Sequence, residues 1–441
     1  MDRCRTIVWT LAALLAAAIA PAPGRSQAGG PPPSVVIAAA GDIACDPGDA
    51  NYNGGAGTAT ACRMAATSDL LLSLAPDAVL TLGDNQYENG TLAKYQASYD
   101  PSWGRLKAIT LPVPGNHEYL TAGAAGYFAY FGAAAGTAGQ GWYSVDRGGW
   151  HLVALNSNCA AAGGCDAASP QGQWLAADLA AHPDVCTLAF WHHPRFSSGP
   201  HGNDATMQPF WDALWAAGAD VVLNGHDHIY ERFAPQRPDG VADPAGPRQL
   251  TIGTGGKNLT GVAAVQPNSA VRHAASFGVL ELTLYGNGYE WRFAPLAGST
   301  FRDAGAAFCH SAPVPPPADF YTLPPCRLAD TRGPAGPSGG PALAAGATRA
   351  FPAAGACGVP ADALAVAANL TAVAPSGGGH LTAFAWGAPV PGTSTLSFSA
   401  GKSRANNAIV GLGVGGKLAV AAALPPGGIA HLVVDLVGYF R

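Results

Sequence analysis

The sequence predicts an α/β layered domain followed by a small all-β domain. Between residues 35 and 310, short apolar runs alternate with helical patterns, which is typical of an α/β fold. The run SAPVPPPADF, residues 311–320, is too rich in proline to continue a helix or a central strand. From residue 319 to 441, helical periodicity almost disappears, and Gly, Pro and Asn separate short strand-like runs.

The first domain is expected over residues 34–310, where polar motifs directly follow the apolar runs. In α/β folds, sites form at the carboxyl ends of the strands, so these motifs mark the expected site. The predicted strands are Val35–Ala40, Ala78–Leu82, Ile109–Val113, His151–Asn156, Thr187–Trp191 and Asp220–Leu223, and the predicted helices are Met64–Leu74, Gln173–Ala181 and Met207–Ala217.

The second domain is expected over residues 319–441, after a Pro-rich linker at 311–318. Short strands at regular spacing with turn residues between them predict a β-sandwich or a barrel, and we expect a β-sandwich-like accessory domain. The predicted strands are Leu364–Val373, His380–Trp386, Ser394–Ser399, Ala408–Val414, Leu418–Ala423 and His431–Tyr439.

The N-terminus has the pattern of an export signal, expected at residues 1–28. Arg3 and Arg5 precede the apolar run Ile7–Ala20, and Ser26-Gln27-Ala28 fits a small-residue cleavage site. A membrane anchor is the disfavoured alternative, because a spanning helix needs about 20 apolar residues. No other long apolar segment has helical character, so we expect a secreted or extracytoplasmic protein without a transmembrane segment.

The charge of the chain excludes one class of partner. Charged residues make up 12% of the 441 residues and the net charge is -5, whereas an average protein has about 25% charged residues. A nucleic-acid-binding protein carries a basic footprint, and this chain has none.

Eight cysteines follow the predicted signal, and an even number in an exported chain suggests disulfides. Proximity in sequence favours the pairs Cys45–Cys62, Cys159–Cys165 and Cys326–Cys357, which leaves Cys186 and Cys309. Connectivity cannot be deduced from sequence alone. A thiolate metal site is the alternative, disfavoured because the chain has no C-x-x-C pair.

Five short motifs carry oxygen and nitrogen donors for metal ions. Carboxylates can bridge two cations, and imidazole suits Zn, Fe and Mn. The glycines allow sharp turns that direct the next side chain into a common cleft. In chain order the motifs are Gly41-Asp42, Gly83-Asp84-Asn85-Gln86-Tyr87, Gly115-Asn116-His117-Glu118, Trp191-His192-His193-Pro194 and Gly225-His226-Asp227-His228.

In this order the five motifs resemble the calcineurin-like metallophosphoesterase superfamily over about residues 35–300, and in particular its purple acid phosphatase branch. Many phosphoesterases have a ligating histidine where this chain has Ala44. In the purple acid phosphatase branch, a tyrosine three residues after the second motif's aspartate replaces that histidine, and Tyr87 stands there. The resemblance implies a layered sandwich of two mixed sheets flanked by helices.

The resemblance also implies two metal ions bridged by Asp84. It assigns Asp42, Tyr87 and His228 to a hard first ion, Fe(III). Asn116, His192 and His226 are assigned to a second, divalent ion: Zn, Fe or Mn. The alternative for Tyr87 is a residue that merely packs under its loop.

Residues behind and around the ligands have implied roles in catalysis. His117 resembles the family's phosphate-orienting histidine, and His201, in the loop FSSGPHGND, resembles its general acid. An ordinary solvated loop histidine is the alternative for His201. Glu118 is expected behind the ligands, where it would fix a histidine tautomer. His193 is expected there too, as a supporting or packing residue.

The function implied by the resemblance is hydrolysis of phosphomonoesters by a metal-held hydroxide, in the manner of acid phosphatases. Two alternatives remain: a phosphodiesterase acting on nucleotides or lipid head groups, and a non-catalytic surface-binding protein. The C-terminal stretch from FYTLPPCRLADTR to DLVGYFR resembles a β module appended to exported bacterial enzymes. That resemblance implies attachment to cell-surface material or polysaccharide.

Overall fold

The structure, a computed structural model, describes residues 34–311 and 318–441. The predicted signal peptide, residues 1–28, and most of the predicted linker lie outside the described residues. Within the described ranges, no helix is both long enough and apolar enough to cross a membrane.

The first part of the chain alternates strands and helices before it ends in a run of strands. Its α-helices are α1 (Met64–Leu74), α2 (Leu92–Lys94), α3 (Ala125–Phe131), α4 (Pro170–Ala181) and α5 (Gln208–Ala216). Its strands are β1 (Ser34–Ala40), β2 (Ala78–Leu82), β3 (Thr110–Val113), β4 (Tyr143–Arg147), β5 (Trp150–Ala154), β6 (Cys186–Phe190), β7 (Val221–Asn224), β8 (Tyr230–Phe233), β9 (Arg248–Ile252), β10 (Ser269–His273), β11 (Gly278–Tyr285), β12 (Gly288–Pro295) and β13 (Ala304–Phe308).

These strands form two mixed sheets. The first has the order β13-β12-β11-β1-β2-β3, in which β1, β2 and β3 run parallel. The second has the order β10-β8-β9-β7-β6-β5-β4, in which β5, β6, β7 and β9 run parallel. Antiparallel strands complete both sheets toward their edges. The predicted layered α/β architecture of two mixed sheets with helices is confirmed.

The alternation of side chains along the second sheet builds two separate cores. Leu152 and Leu188 belong to the core that joins the two sheets. Their neighbours Val153 and Ala189 face the other way, into a core that includes Trp211 of α5. Because successive side chains of a strand point to opposite faces, one continuous apolar run serves both cores, as expected for strands buried on both faces.

The second part of the chain is rich in strands. Its strands are β14 (Phe320–Asp330), β15 (Leu343–Ala344), β16 (Thr348–Pro352), β17 (Ala365–Val373), β18 (Gly379–Ala385), β19 (Leu396–Phe398), β20 (Arg404–Gly411), β21 (Lys417–Ala423) and β22 (Ile429–Phe440). One sheet has the order β14-β22-β17-β20, with β15 paired to β22, and the other has the order β16-β21-β18-β19. Both contribute to one separate core that includes Leu370 and Leu418.

The predicted elements agree with the structure to within a few residues. α1 coincides with its prediction, while α4 begins three residues earlier, at Pro170. The side chain of Ser169 accepts a hydrogen bond from the Gly172 N–H, and proline is favoured in the first helical turn. Several strands were not predicted: β4, β8–β13 and β14–β16.

Four disulfides join the cysteines of the described residues: Cys45–Cys62, Cys159–Cys165, Cys186–Cys309 and Cys326–Cys357. The three pairs favoured by proximity are confirmed, and the two remaining cysteines pair with each other. Disulfides persist in oxidising compartments, so this content fits an extracellular protein.

Candidate metal centre

The five polar motifs meet at the carboxyl ends of parallel strands. Asp42 follows β1, Asp84 follows β2 and Asn116 follows β3 in the first sheet. His192 follows β6 and His226 follows β7 in the second sheet. The two sheets therefore direct donor side chains toward each other across one cleft.

A first group of donor atoms surrounds the hydroxyl of Tyr87. This hydroxyl lies 2.9 Å from Asp42 Oδ1, 3.1 Å from Asp84 Oδ2 and 3.0 Å from His228 Nε2. The ring is 2% exposed. Tyr87 is therefore part of the polar cluster, and the alternative that it only packs under its loop does not describe its contacts.

A second group of donor atoms surrounds the imidazole of His192. Its Nε2 lies 3.1 Å from Asn116 Oδ1, 3.2 Å from His226 Nδ1 and 3.4 Å from Asp84 Oδ2. The other ring nitrogen, Nδ1, donates to the carbonyl oxygen of Leu82 at 2.8 Å. That bond leaves Nε2 as the nitrogen available to an ion.

Asp84 Oδ2 belongs to both groups, because it lies within hydrogen-bond distance of Tyr87 and close to His192. The structure thus brings together all the metal-ligand candidates of the sequence analysis. Ligands held about 2.0–2.2 Å from one ion are themselves roughly 3 Å apart, so both groups of donors fit a metal ion.

Three of these residues have a strained backbone. Asp42, Asp84 and His226 have φ angles of 61°, 46° and 71°, in the left-handed region that non-glycine residues seldom adopt. Such strain costs of order 1–3 kcal/mol per residue and concentrates at functional sites. The fold is therefore organised to hold these side chains in place.

Two motif glycines are required by close packing. A Cβ added at Gly115 would lie 2.1 Å from Asp84 Oδ1 and 2.3 Å from the Asp84 backbone nitrogen. At Gly83, where φ is +81°, it would lie 2.6 Å from His192 Nδ1. These glycines let neighbouring motifs approach closely enough to form one cluster.

Burial and mutual charge shift the pKa values of the cluster. Burial, followed by the charges of Asp42 and Asp84, raises the pKa of Tyr87 well above 10. Burial opposes the charged form of His192, but Asp84 raises its pKa to about 9. Burial and the neighbouring histidines lower the pKa of His226. An ion of high charge would therefore be needed to hold Tyr87 as a phenolate.

The two predicted catalytic histidines lie at the edge of this cluster. His117 Nε2 is 3.8 Å from Asp84 Oδ2, and its ring lies 4.3 Å from that of Tyr87. The ring of His201 lies 4.1 Å from that of His226, and its side chain is 52% exposed. Both rings are thus placed to meet a molecule that binds at the cluster.

Glu118 is fully buried behind the donor groups, where the sequence analysis expects it. Its carboxylate accepts hydrogen bonds from the N–H groups of Gly115 and Gln86, at 2.7 and 3.1 Å, and from the Tyr95 hydroxyl at 3.0 Å. Burial, followed by the charge of Asp84, raises its pKa to about 7. These hydrogen bonds tie the backbone of the second and third motifs to one carboxylate.

Two contacts of the cluster were missed by the sequence analysis. Ser157, after β5, places its hydroxyl 2.7 Å from His193 Nδ1. Burial, followed by the charge of His192, lowers the pKa of His193 to about 4. Lys257, after β9, places its ammonium 5.1 Å from the centre of the Tyr87 ring. Both residues follow strands, which is the only sequence signal that could have found them.

The chain is similar to known phosphoesterases in sequence and in fold. Residues 35–230 match the family described as calcineurin-like phosphoesterase. Purple acid phosphatase 15 of Arabidopsis thaliana is 32% identical over 223 residues, which cover 42% of this chain and 41% of that protein. Purple acid phosphatase 18 of the same plant is 35% identical over 153 residues, covering 32% of this chain and 34% of that protein.

A solved structure shows the same fold. Purple acid phosphatase PPD1 from yellow lupin (Lupinus luteus) seeds superposes with a TM-score of 0.51 at 18% identity, covering 63% of this chain and 54% of that chain. The chain spans less than half the length of the two Arabidopsis relatives. Residues 35–230 thus match the calcineurin-like phosphoesterase family, and the chain is similar to purple acid phosphatases in sequence and in fold.

Proposed function

We propose that this chain is an exported phosphoesterase with two metal ions that hydrolyses phosphomonoesters, in the manner of an acid phosphatase. The observation that carries the proposal is the pair of donor groups that share Asp84 Oδ2. Both donor groups lie within residues 35–230, which match the calcineurin-like phosphoesterase family, and this match supports phosphoric ester hydrolysis as the reaction.

The first ion would be held by Asp42, Tyr87 and His228, and the second by Asn116, His192 and His226, with Asp84 between them. Fe(III) is proposed for the first position, because a phenol buried beside two carboxylates needs a hard, highly charged ion. Zn, Fe or Mn in the divalent state suits the oxygen and imidazole donors of the second.

Two metal ions, when bound, neutralise the phosphate and make water a nucleophile near neutral pH. The chain's own residues would orient the ester. His117 would hold a phosphate oxygen through Nε2, because its Nδ1 is engaged at 2.5 Å by the carbonyl oxygen of Glu88. His201 would give a proton to the leaving oxygen.

The experiment compares p-nitrophenyl phosphate with bis(p-nitrophenyl) phosphate as substrates of the purified, metal-loaded protein. Faster turnover of the monoester is the expected result. Faster turnover of the diester would favour the phosphodiesterase alternative. No turnover of either ester at full metal content would contradict the proposal and favour a non-catalytic surface-binding protein.

The acid role of His201 has its own test, which uses the leaving group. A poor alkoxide needs a proton in the transition state, whereas an activated phenolate does not. His201→Ala should slow an alkyl phosphate by about 10²–10⁴-fold and an activated aryl phosphate much less, with metal content unchanged. Equal rates of parent and variant on the alkyl phosphate would identify an ordinary solvated loop histidine.

The C-terminal domain is proposed to attach the enzyme to cell-surface material or polysaccharide. Support comes from exposed apolar side chains, with Ile409 69% and Val390 54% exposed. Co-sedimentation with insoluble polysaccharide should be lost when Ile409 is replaced by serine. Export is supported by the four disulfides, and it predicts recovery of the protein outside the cytoplasm.

A further inference from the structure

The loop that carries His201 rests on a fully buried carboxylate, that of Asp227. Asp227 Oδ1 lies 2.8 Å from His201 Nδ1 and also accepts the His201 backbone N–H at 3.1 Å. Its other oxygen accepts the hydroxyl of Ser197. A Cβ added at Gly199 would lie 2.3 Å from Asp227 Cγ, so the loop passes directly over this carboxylate.

A second buried carboxylate holds the neighbouring residue of the same loop. Glu231 accepts hydrogen bonds from the backbone N–H and the hydroxyl of Ser198, at 2.8 and 2.5 Å. Within the part of the chain that the structure describes, Glu231 makes its hydrogen bonds with Ser198 and Ser269 and makes none with the His201 ring. Both carboxylates anchor the backbone of the loop, but of the two only Asp227 also contacts the imidazole of His201. Variants of Asp227 and Glu231 can therefore distinguish anchoring of the loop from orientation of the ring.

We propose that Asp227, supported by Ser197, is a positioning residue for the acid–base histidine His201. This inference rests on the proposed function, in which His201 protonates the leaving oxygen. A carboxylate can only accept hydrogen bonds when ionised, so His201 Nδ1 must carry the proton between them. Nε2 is then the nitrogen that faces the reaction, as in other sites where a carboxylate fixes a histidine tautomer.

The difference in exposure between His201 and Asp227 explains why a carboxylate that orients the ring would help catalysis. The His201 side chain is 52% exposed, while that of Asp227 is 0% exposed. A half-exposed loop side chain would otherwise sample several rotamers and both neutral tautomers. A displacement of about 1 Å can cost 10²-fold in rate, so a rigid partner beneath the ring raises the fraction of productive orientations.

The kinetic test uses Asp227→Ala with Glu231→Ala as the matched control. Asp227→Ala should lower kcat on an alkyl phosphate by on the order of 10–10²-fold, with little change in KM or in turnover of an activated aryl phosphate. Adding Asp227→Ala to His201→Ala should have no further effect on the alkyl ester. Glu231→Ala should lower the melting temperature without this dependence on the leaving group.

A spectroscopic test does not depend on activity. In zinc-loaded protein with ¹⁵N-labelled histidine, the ring signals missing from His201→Ala identify this residue. They should show the tautomer protonated at Nδ1 in the parent, a mixture richer in the Nε2–H form in Asp227→Ala, and the parental state in Glu231→Ala. Asp227→Asn, which keeps an acceptor oxygen, should restore most of the Nδ1–H form and controls for misfolding.

Three outcomes would overturn the proposal: an Nε2–H tautomer in the parent, an unchanged tautomer in a folded Asp227→Ala, or the same leaving-group dependence in Glu231→Ala. Each would reduce Asp227 to an anchor of the loop backbone. If the parent hydrolyses neither ester, the proposed function fails, and the tautomer measurement alone decides whether Asp227 orients the ring.

Discussion

At the scale of single residues, Asp84 is the side chain on which the proposed centre depends most. Its Oδ2 atom belongs to both donor groups, whereas His226 belongs to the second group alone. Asp84→Asn should therefore lower metal content at both positions, and His226→Ala should mainly empty the second. Elemental analysis of each purified variant measures this, with the surface variant Asp212→Asn as the control.

Near-full metal content in Asp84→Asn would show that the ligand assignment is misplaced. A loss of both ions in His226→Ala would mean that the two positions fill only together.

Tyr87 tests the identity of the first ion, because a phenolate bound to Fe(III) absorbs visible light by charge transfer. The concentrated protein should be pink to violet, and Tyr87→Phe should lose this colour while keeping most of the cluster's packing. An absorption spectrum with elemental analysis decides the question. A colourless parent that contains only zinc would exclude iron, although it would leave the phosphoesterase proposal standing.

At the scale of elements, His151 of β5 links Asp146 of β4 to Asp178 of α4, and we call these three residues the His151 cluster. His151, 1% exposed, places its two ring nitrogens 2.9 Å from Asp146 Oδ1 and 2.8 Å from Asp178 Oδ2. The ring of His182 stacks on it at 3.7 Å. Burial opposes protonation, but the hydrogen bonds to Asp178 and Asp146 outweigh it and raise the pKa of His151 above its usual value of 6.5.

A raised pKa in the folded state stabilises the protein below the unfolded pKa, near 6.5, and this stabilisation is lost as the pH rises through the folded value. His151→Gln should therefore lower the free energy of unfolding by about 1–3 kcal/mol at pH 5.5, and by less at pH 9. Melting temperatures at both pH values measure the difference.

Asp146 and Asp178 provide the control for the His151 cluster. Asp178 is 11% exposed and Asp146 is 67% exposed, and exposed ion pairs contribute at most about 1 kcal/mol. Asp178→Asn should thus lower the free energy of unfolding at pH 5.5 more than Asp146→Asn does. A pH-independent effect of His151→Gln would show that folding does not raise the pKa of His151.

The elements also show which parts of the fold the sequence could predict. The central strands β1, β2 and β6 are almost entirely apolar and were found, because strands buried on both faces have that pattern. β10 was missed because its side chains are mostly half-buried, and β12 because Arg292 and Glu290 interrupt its apolar pattern. Edge hairpins of this kind carry a weaker signal.

The candidate site likewise contains residues that the sequence could predict and contacts that it could not. Its ligand candidates stand in short motifs, so a resemblance could assign them residue by residue. The contacts of Ser157 with His193 and of Lys257 with Tyr87 depend on which strands become neighbours in the sheet. The contacts of the Glu118 carboxylate with backbone N–H groups and with the Tyr95 hydroxyl likewise depend on the direction of its side chain, which its place in the sequence does not give.

At the scale of the whole molecule, a polar contact joins the C-terminal domain to the β11–β12 hairpin. Glu290 of β12 accepts hydrogen bonds from Lys417 Nζ at 2.6 and 2.8 Å and from Trp386 Nε1 at 2.6 Å. Gly415 approaches the ring of Tyr285 so closely that an added Cβ would lie 2.8 Å from its Cζ atom. One carboxylate of the first domain thus binds two side chains of the second.

We expect Glu290→Ala to uncouple the two domains. Trp386 and Lys417 would lose their acceptor at a partly buried contact, where a hydrogen bond to a charged group contributes about 1.5–3 kcal/mol. Calorimetry should show the C-terminal domain melting at a lower temperature, and X-ray scattering should show a larger radius of gyration. Glu281→Gln is the matched control, because Glu281 pairs with Arg292 inside the first domain. If Glu290→Ala keeps the parental melting profile and dimensions, the apolar contacts around Gly415 and Tyr285 are sufficient to dock the domains.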